Sequence, residues 1–268
     1  MRLCYSNLAC PDWSFEQTVE AVGTSGFAGL EIRLFDGEVV TPNLDERSRR
    51  RAEVALRDGG VEVAALDTSL RVTSEDRDDF LAGVQVMSEM AEQWGAPLMR
   101  LFGGPLPGDP AAKSEVLKRA GGLLVEAAPL AGRHGVRLAV ETHDDFSSAH
   151  TVAEVLSYAG GSAGAVYDSH HPHRMGERPA EVMGTLGTLV WHVQVKDARR
   201  LSGDEWQLVP LGEGEVPVKE LLDLLPVAGY DGWVSLEFEK KWHPELAPPE
   251  VALAPQAKLL REWLEPLQ

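Results

Sequence analysis

Short apolar runs rich in β-branched residues alternate along this chain with longer amphipathic stretches, and polar loops separate them. Eight of the runs read as strands, over residues 2–6, 29–34, 61–66, 97–102, 136–141, 163–167, 190–196 and 233–238. Ser14 opens the first helical stretch as an N-cap, with Glu16 and Gln17 in its first turn. The others span 45–58, 76–94, 110–134, 148–159, 179–189, 218–227 and 255–264. Gly26, Gly60, Gly95, Gly135 and Gly229 each stand just before the next strand, where a left-handed residue closes a helix. Eightfold alternation of strand and helix predicts an α/β fold, a (β/α)₈ TIM barrel closed by a parallel eight-stranded sheet. No linker or low-complexity run divides the sequence, so residues 1–268 are expected to form a single domain.

The 268-residue length suits one such barrel, which typically needs about 250 residues. Hydrophobic residues make up 44% and charged residues 25%, as in a soluble globular protein. No run approaches the roughly 20 apolar residues that cross a bilayer. The opening MRLCYSNLACPDW lacks the apolar run of a secretory signal, so a cytoplasmic location is expected, with no membrane partner. Cys4 and Cys10 form no CxxC motif or disulfide framework and read as small buried residues. A net charge of −17 opposes a nucleic-acid partner, because phosphates need a basic patch. The densest basic stretch, Arg47 to Arg51, is interleaved with Asp45, Glu46 and Glu53 and reads as a solvated helix face.

In barrels of this kind the active site lies at the C-terminal ends of the strands. Four strands finish on polar residues. VRLAVETHDD carries Glu141, and AGAVYDSHHPH carries Asp168. VWHVQVKDARR carries His192, Gln194 and Lys196, and GWVSLEFEKKWH carries Glu237 and Glu239. Carboxylates gathered at one mouth repel one another unless a cation sits among them. Oxygen donors from Glu141, Asp168, Gln194 and Glu237 make a hard set, suited to one divalent ion, Mn²⁺ or Mg²⁺.

These segments resemble the xylose isomerase-like barrel superfamily, especially its sugar isomerase and epimerase members. The resemblance runs through WSFEQTVEAVGTSGFAGLEIR, VET, YDSHHP, HVQVKD, LGEGEVP and YDGWVSLEFE, nearly the whole chain. That family sets a Glu, an Asp, a His and a Glu around one divalent ion at the ends of strands five to eight. The match implies metal-ligand roles for Glu141, Asp168 and Glu237. Gln194 stands where the commoner form has a His, a departure shared with hydroxypyruvate isomerase-like members. The resemblance further implies isomerisation or epimerisation of a small sugar or hydroxy-carbonyl compound through a metal-bound enediolate. Glu141 and Glu237 would then be the catalytic pair that moves the proton. Relatives are often dimers or tetramers, so a homo-oligomer is among the arrangements implied.

His171 matches a substrate-contacting His of epimerase relatives, and Arg200 a substrate-binding Arg, with Arg199 beside it as the competing register. Glu31 resembles a family Glu that orients the ligand His or the substrate, and an internal pair with Arg33 is the alternative. Side chains two apart on a strand share a face, which sets His192 and Lys196 beside Gln194. Lys196 would hold a substrate oxygen or carboxylate, or else a neighbouring acid. His192, one layer deeper, reads as a core histidine. His143, two after Glu141, would face the mouth as a substrate contact. Trp13 and Trp242 fall in loops where an indole could stack on a sugar. LGEGEVP reads as a tight loop over the site and lacks the lysine and spacing of a phosphate-binding loop.

A dehydratase acting on an inosose-type cyclitol would use the same metal and acid–base pair and is the main alternative. An abasic-site endonuclease would need more histidines and a cationic surface. A mere sugar-binding subunit would have no use for two proton-transferring carboxylates.

Overall fold

Side-chain caps set the helix starts where the sequence places them. Ser14 Oγ accepts the amide of Gln17 while Gln17 Oε1 accepts that of Ser14, a reciprocal box that begins α1 (Phe15–Ser25). Asp45, Asp76 and Asp109 cap α2 (Glu46–Gly59), α3 (Arg77–Trp94) and α4 (Pro110–Gly132), each accepting one backbone amide of the first turn. Gly26, Gly60 and Gly95 close the first three in the left-handed conformation. The computed structural model describes residues 1–265, and the last three positions of the expected 1–268 domain lie outside them.

Eight parallel strands close into a barrel. They are β1 (Arg2–Ser6), β2 (Gly29–Ile32), β3 (Glu62–Arg71), β4 (Leu98–Phe102), β5 (Arg137–Glu141), β6 (Gly164–Asp168), β7 (Val190–Val195) and β8 (Trp233–Leu236). Each strand pairs with its neighbours in the chain, and β1 pairs with β8 to close the ring. The outer layer continues with α5 (Ala149–Ala159), α6 (Pro179–Leu186), α7 (Val218–Val227) and α8 (Pro249–Leu264). Leu30, Leu66, Met99, Leu101, Val140 and Val193 are fully buried in the core between sheet and helices.

The structure amends the expected elements in five places. The last helix starts at Pro249, not 255; Pro255 sits inside it on the exposed face, where water can take the carbonyl it leaves unbonded. The third strand runs on to Arg71. Two antiparallel hairpins, Leu34–Phe35 with Glu38–Val39 and Asp197–Ser202 with Glu205–Val209, extend the loops after β2 and β7. A short helix, His170–Arg174, follows β6.

Cys4 and Cys10 are buried and unpaired. In the basic stretch of α2, Arg49 donates to the carbonyls of Pro42 and Leu44, and Arg51 pairs with Glu16 and Asp36. No helix of the described residues is long and apolar enough to cross a membrane.

Candidate active site

The strand ends bring the predicted acids together. Glu141 ends β5, Asp168 ends β6, and Glu237 follows β8; all three are buried. One oxygen from each lies within 4.8 Å of the other two. Gln194, fully buried on β7, stands level with Asp168 on one side and Ser235 on the other. Two hydroxyls tie the strand ends together from behind. Thr142 Oγ1 accepts the Asp168 amide at 3.0 Å, and Ser169 Oγ accepts the Lys196 amide at 3.0 Å.

Each acid is held so that one oxygen faces inward. Asp168 Oδ1 accepts the amides of His170 and His171 at the start of the short helix, which leaves Oδ2 for the centre. The Gln194 amide donates to Glu31 Oε1 at 2.9 Å, and Glu31 also meets the imidazole of His192. Fixing the nitrogen on Glu31 frees Oε1 of Gln194, a buried oxygen with no hydrogen-bond partner. Glu31 thus bonds the Gln194 amide directly, meets His192 with its other oxygen, and forms no ion pair with Arg33 among the described residues.

Lys196 reaches into the cluster. Its Nζ lies 3.0 Å from Asp168 Oδ2 and 2.7 Å from Glu237 Oε2, with Glu239 as a third acid partner. It also meets His171 Nε2 at 3.2 Å, where an ammonium can only donate and the ring nitrogen accepts. Burial would depress the Lys196 pKa, but Asp168, Glu237, Glu239 and Glu141 outweigh it and hold it well above the ordinary value. Glu141 is raised to about 8 by burial, with Glu237 and Asp168 adding to the rise and Arg100 opposing it. Burial also raises Asp168 and Glu237, against the pull of Lys196. Burial and then Lys196 lower His143 to about 4 and put His171 well below its usual value, so both rings are neutral at pH 7.

Four residues without a predicted role belong to the same mouth. Asp67 on β3 is fully buried, its pKa raised well above normal by burial and by Glu31. Arg100 on β4 bridges Asp67 at 3.5 Å and Glu141 at 3.2 Å. Phe102 lies under the Arg100 guanidinium at 3.9 Å and beside His143 at 4.8 Å. Trp206, on the second hairpin, packs edge-on against His170 and His173. Asp67 stood one residue beyond the expected end of its strand, and the alternation continued through it would have found it.

The remaining predicted contacts lie apart from the acids. Arg200 is on the exposed hairpin, bonded to the Gly203 carbonyl at 2.6 Å and near Asp204 at 3.8 Å. Trp13 donates to Glu250 at 3.0 Å and leans on the core near α8. Trp242 is about half exposed in the loop after β8. Among the described residues no side-chain hydrogen bond or ion pair joins these three to the cluster. The LGEGEVP loop hangs on Asp197, which accepts the amides of Ala198, Gly212, Gly214 and Val216.

Three convergent acids, an amide oxygen without a partner and a lysine drawn in among them form a pocket for positive charge. Those oxygen donors fit a hard divalent cation, provided the ammonium gives way to it.

The chain belongs to the xylose isomerase-like TIM barrel family, whose profile matches residues 19–264. Among curated proteins it is similar to one from Streptomyces coelicolor, provisionally described as a hydroxypyruvate isomerase. The two are 28% identical over 244 residues, covering 82% of this chain and 83% of the relative. Among solved structures it is similar to the IolI protein with a bound zinc atom, with a TM-score of 0.81, 18% identity and 98% of each chain covered. It is also similar to AsbF of Bacillus anthracis, described as the probable 3-DHS dehydratase. There the TM-score is 0.77 with 18% identity, covering 97% of this chain and 99% of that one.

Proposed function

We propose that the chain is a divalent-metal-dependent isomerase or epimerase of a small sugar or hydroxy-carbonyl compound, working as one barrel domain. The observation that carries the reading is the meeting of Glu141, Asp168 and Glu237 at one rim, beside the partnerless oxygen of Gln194. The isomerase assignment of the Streptomyces coelicolor relative supports the reaction class.

Glu141, Asp168, Glu237 and Gln194 Oε1 would hold the ion, with Mn²⁺ or Mg²⁺ matched to oxygen donors. The bound ion would supply Lewis-acid polarisation of a substrate carbonyl. Glu141 and Glu237 flank the centre from β5 and β8, with Asp168 and Gln194 between them. One carboxylate takes the weakly acidic proton beside the carbonyl, and the other returns a proton to the neighbouring or opposite position. Burial lifts both pKa values in the metal-free cluster, and an ion bound there would favour the carboxylate form that accepts the proton. His171 and His143, neutral and 4.3 Å apart between ring centres, offer hydrogen bonds to substrate hydroxyls. Lys196 moves from Asp168 towards Glu239 and points its ammonium at a substrate oxygen.

The test is a screen of ketoses, inososes and hydroxypyruvate in deuterated water, with Mn²⁺ or Mg²⁺ and with chelator. Metal-dependent exchange of a substrate carbon-bound hydrogen is expected. A protein that exchanges no hydrogen on any of them, or is indifferent to chelator, would overturn the reading. A dehydratase starts with the same proton removal, and the screen separates it by loss of water and an ultraviolet-absorbing enone or dione.

A further inference from the structure

Two guanidinium groups are buried at the β2–β4 side of the mouth, and they are not equivalent. Arg100 has two carboxylate partners, Asp67 and Glu141. Arg33 is only 7% exposed, yet among the described residues no carboxylate comes within 4.0 Å of it. Its partners are neutral: Nη1 donates to the Asp67 carbonyl at 3.3 Å and Nη2 to Ser69 Oγ at 3.0 Å. Three of its five N–H groups have no acceptor in the protein. Burial, and then Arg100, pull its pKa down to about 10, against the opposing pull of Asp67, Glu141 and Glu237, none of which touches it.

The position is also held firmly. Asn7 Oδ1 accepts the amides of both Arg33 and Leu34, and Asn7 Nδ2 donates to the Leu34 carbonyl. Arg33 lies two residues beyond Glu31, on the same inward face and one layer nearer the mouth, while Glu31 is level with Gln194. Its guanidinium lies 5.7 Å from the Phe102 ring, next to the face that Arg100 covers. Ser69, which holds Nη2, is itself exposed, so the fork lies next to solvent.

We propose that Arg33 binds an oxyanion on the substrate, a carboxylate or a phosphate, so that the ligand spans the mouth. Its anionic end meets β2 and its hydroxy-carbonyl end meets the acids of β5 to β8. A guanidinium that touches no carboxylate and keeps unused donors is suited to a planar or tetrahedral oxyanion. The inference rests on the proposed isomerase or epimerase reading for the reacting end only.

Binding, not turnover, tests it. Titration calorimetry with Mn²⁺ present compares D-glycerate, glycerol 3-phosphate and uncharged dihydroxyacetone on wild type, Arg33→Met and Arg33→Lys. Wild type is expected to bind at least one anion more tightly than dihydroxyacetone. Arg33→Met should weaken that anion about 10- to 100-fold and leave dihydroxyacetone unchanged. Arg33→Lys should recover part of the loss. Preference for D-glycerate identifies a carboxylate site, and preference for glycerol 3-phosphate a phosphate site. Equal wild-type binding of charged and uncharged ligands overturns the inference without needing any variant to fold. An unchanged anion affinity in Arg33→Met also overturns it. Neither result touches hydrogen exchange on the true substrate; conversely, anion binding without exchange on any substrate would sink the reaction reading and leave Arg33 in place.

Discussion

Lys196 Nζ stands 2.7 Å from Glu237 Oε2 and 3.0 Å from Asp168 Oδ2, so the chain supplies its own cation to the acids proposed to share a metal. Removing one partner from a buried ion pair costs about 3–5 kcal/mol, because the other charges stay buried. Lys196→Met should therefore lower the melting temperature by about 5–15 °C in chelator. Mn²⁺ should recover most of that loss by replacing the ammonium. Equal melting with chelator and with Mn²⁺ would show that ammonium and metal do not share these oxygens.

Replacing Glu141 or Glu237 by Gln preserves shape and removes the proton acceptor. Each variant should keep its fold by circular dichroism and lose about 10²- to 10⁴-fold in kcat. Near-wild-type turnover in both would remove them from proton transfer.

Glu31 holds the Gln194 amide, and its own carboxylate also approaches Glu237. Glu31→Gln should weaken Mn²⁺ binding about 10- to 100-fold in a calorimetric titration, with kcat largely kept at saturating metal. An unchanged affinity would mean that Gln194 needs no such orientation, or ligates nothing.

The loop over 211–217 depends on one carboxylate. A Cβ added at Gly214 would sit 2.1 Å from Asp197 Oδ1 and 2.5 Å from the Ala198 carbonyl. Gly214→Ala should cost about 1–3 kcal/mol by chemical denaturation and loosen the loop to proteolysis. Wild-type stability and resistance would show that the loop can shift without loss.

Arg51 pairs with Glu16 and Asp36, and its bonds lower both carboxyl pKa values against the opposing effect of burial. A carboxylate with a depressed folded-state pKa stabilises above its unfolded pKa, and the gain is lost as pH falls through the folded value. Arg51→Ala should thus be about 0.5–1 kcal/mol less stable at pH 7 by urea unfolding. The gap should narrow below about pH 4 and close only once pH has fallen below the depressed folded values of both acids, where they are protonated in either state. A gap that persists in acid would point to packing of Arg51 on Phe35, 4.7 Å away, as its main contribution.

Periodicity and capping carried the barrel, because each strand and helix buries one face against the same core and ends on a residue with a local reason to be there. Polar residues closing apolar runs located Glu141, Asp168, Gln194 and Glu237. Asp67 was missed because β3 runs five residues past the last apolar position that had seemed to end it. The hairpin over 197–209 was not legible, since Ala198, Trp206 and Leu208 alone give it an apolar face, too few for the alternation to stand out. Arg33 and Arg100 share parity with their neighbours equally well. Only the coordinates tell the guanidinium that meets carboxylates from the one that does not.

The residues at the mouth follow the order of the chain. Arg33, Asp67 and Arg100 come from the first four strands, and the oxygen quartet comes from the last four. Recognition and reaction would thus sit in separate halves of one cylinder, joined by two seams: Glu31 to Gln194, and Arg100 to Glu141. Recombining the leading half with that of a relative could redirect which molecule is accepted, provided both seams are carried across intact.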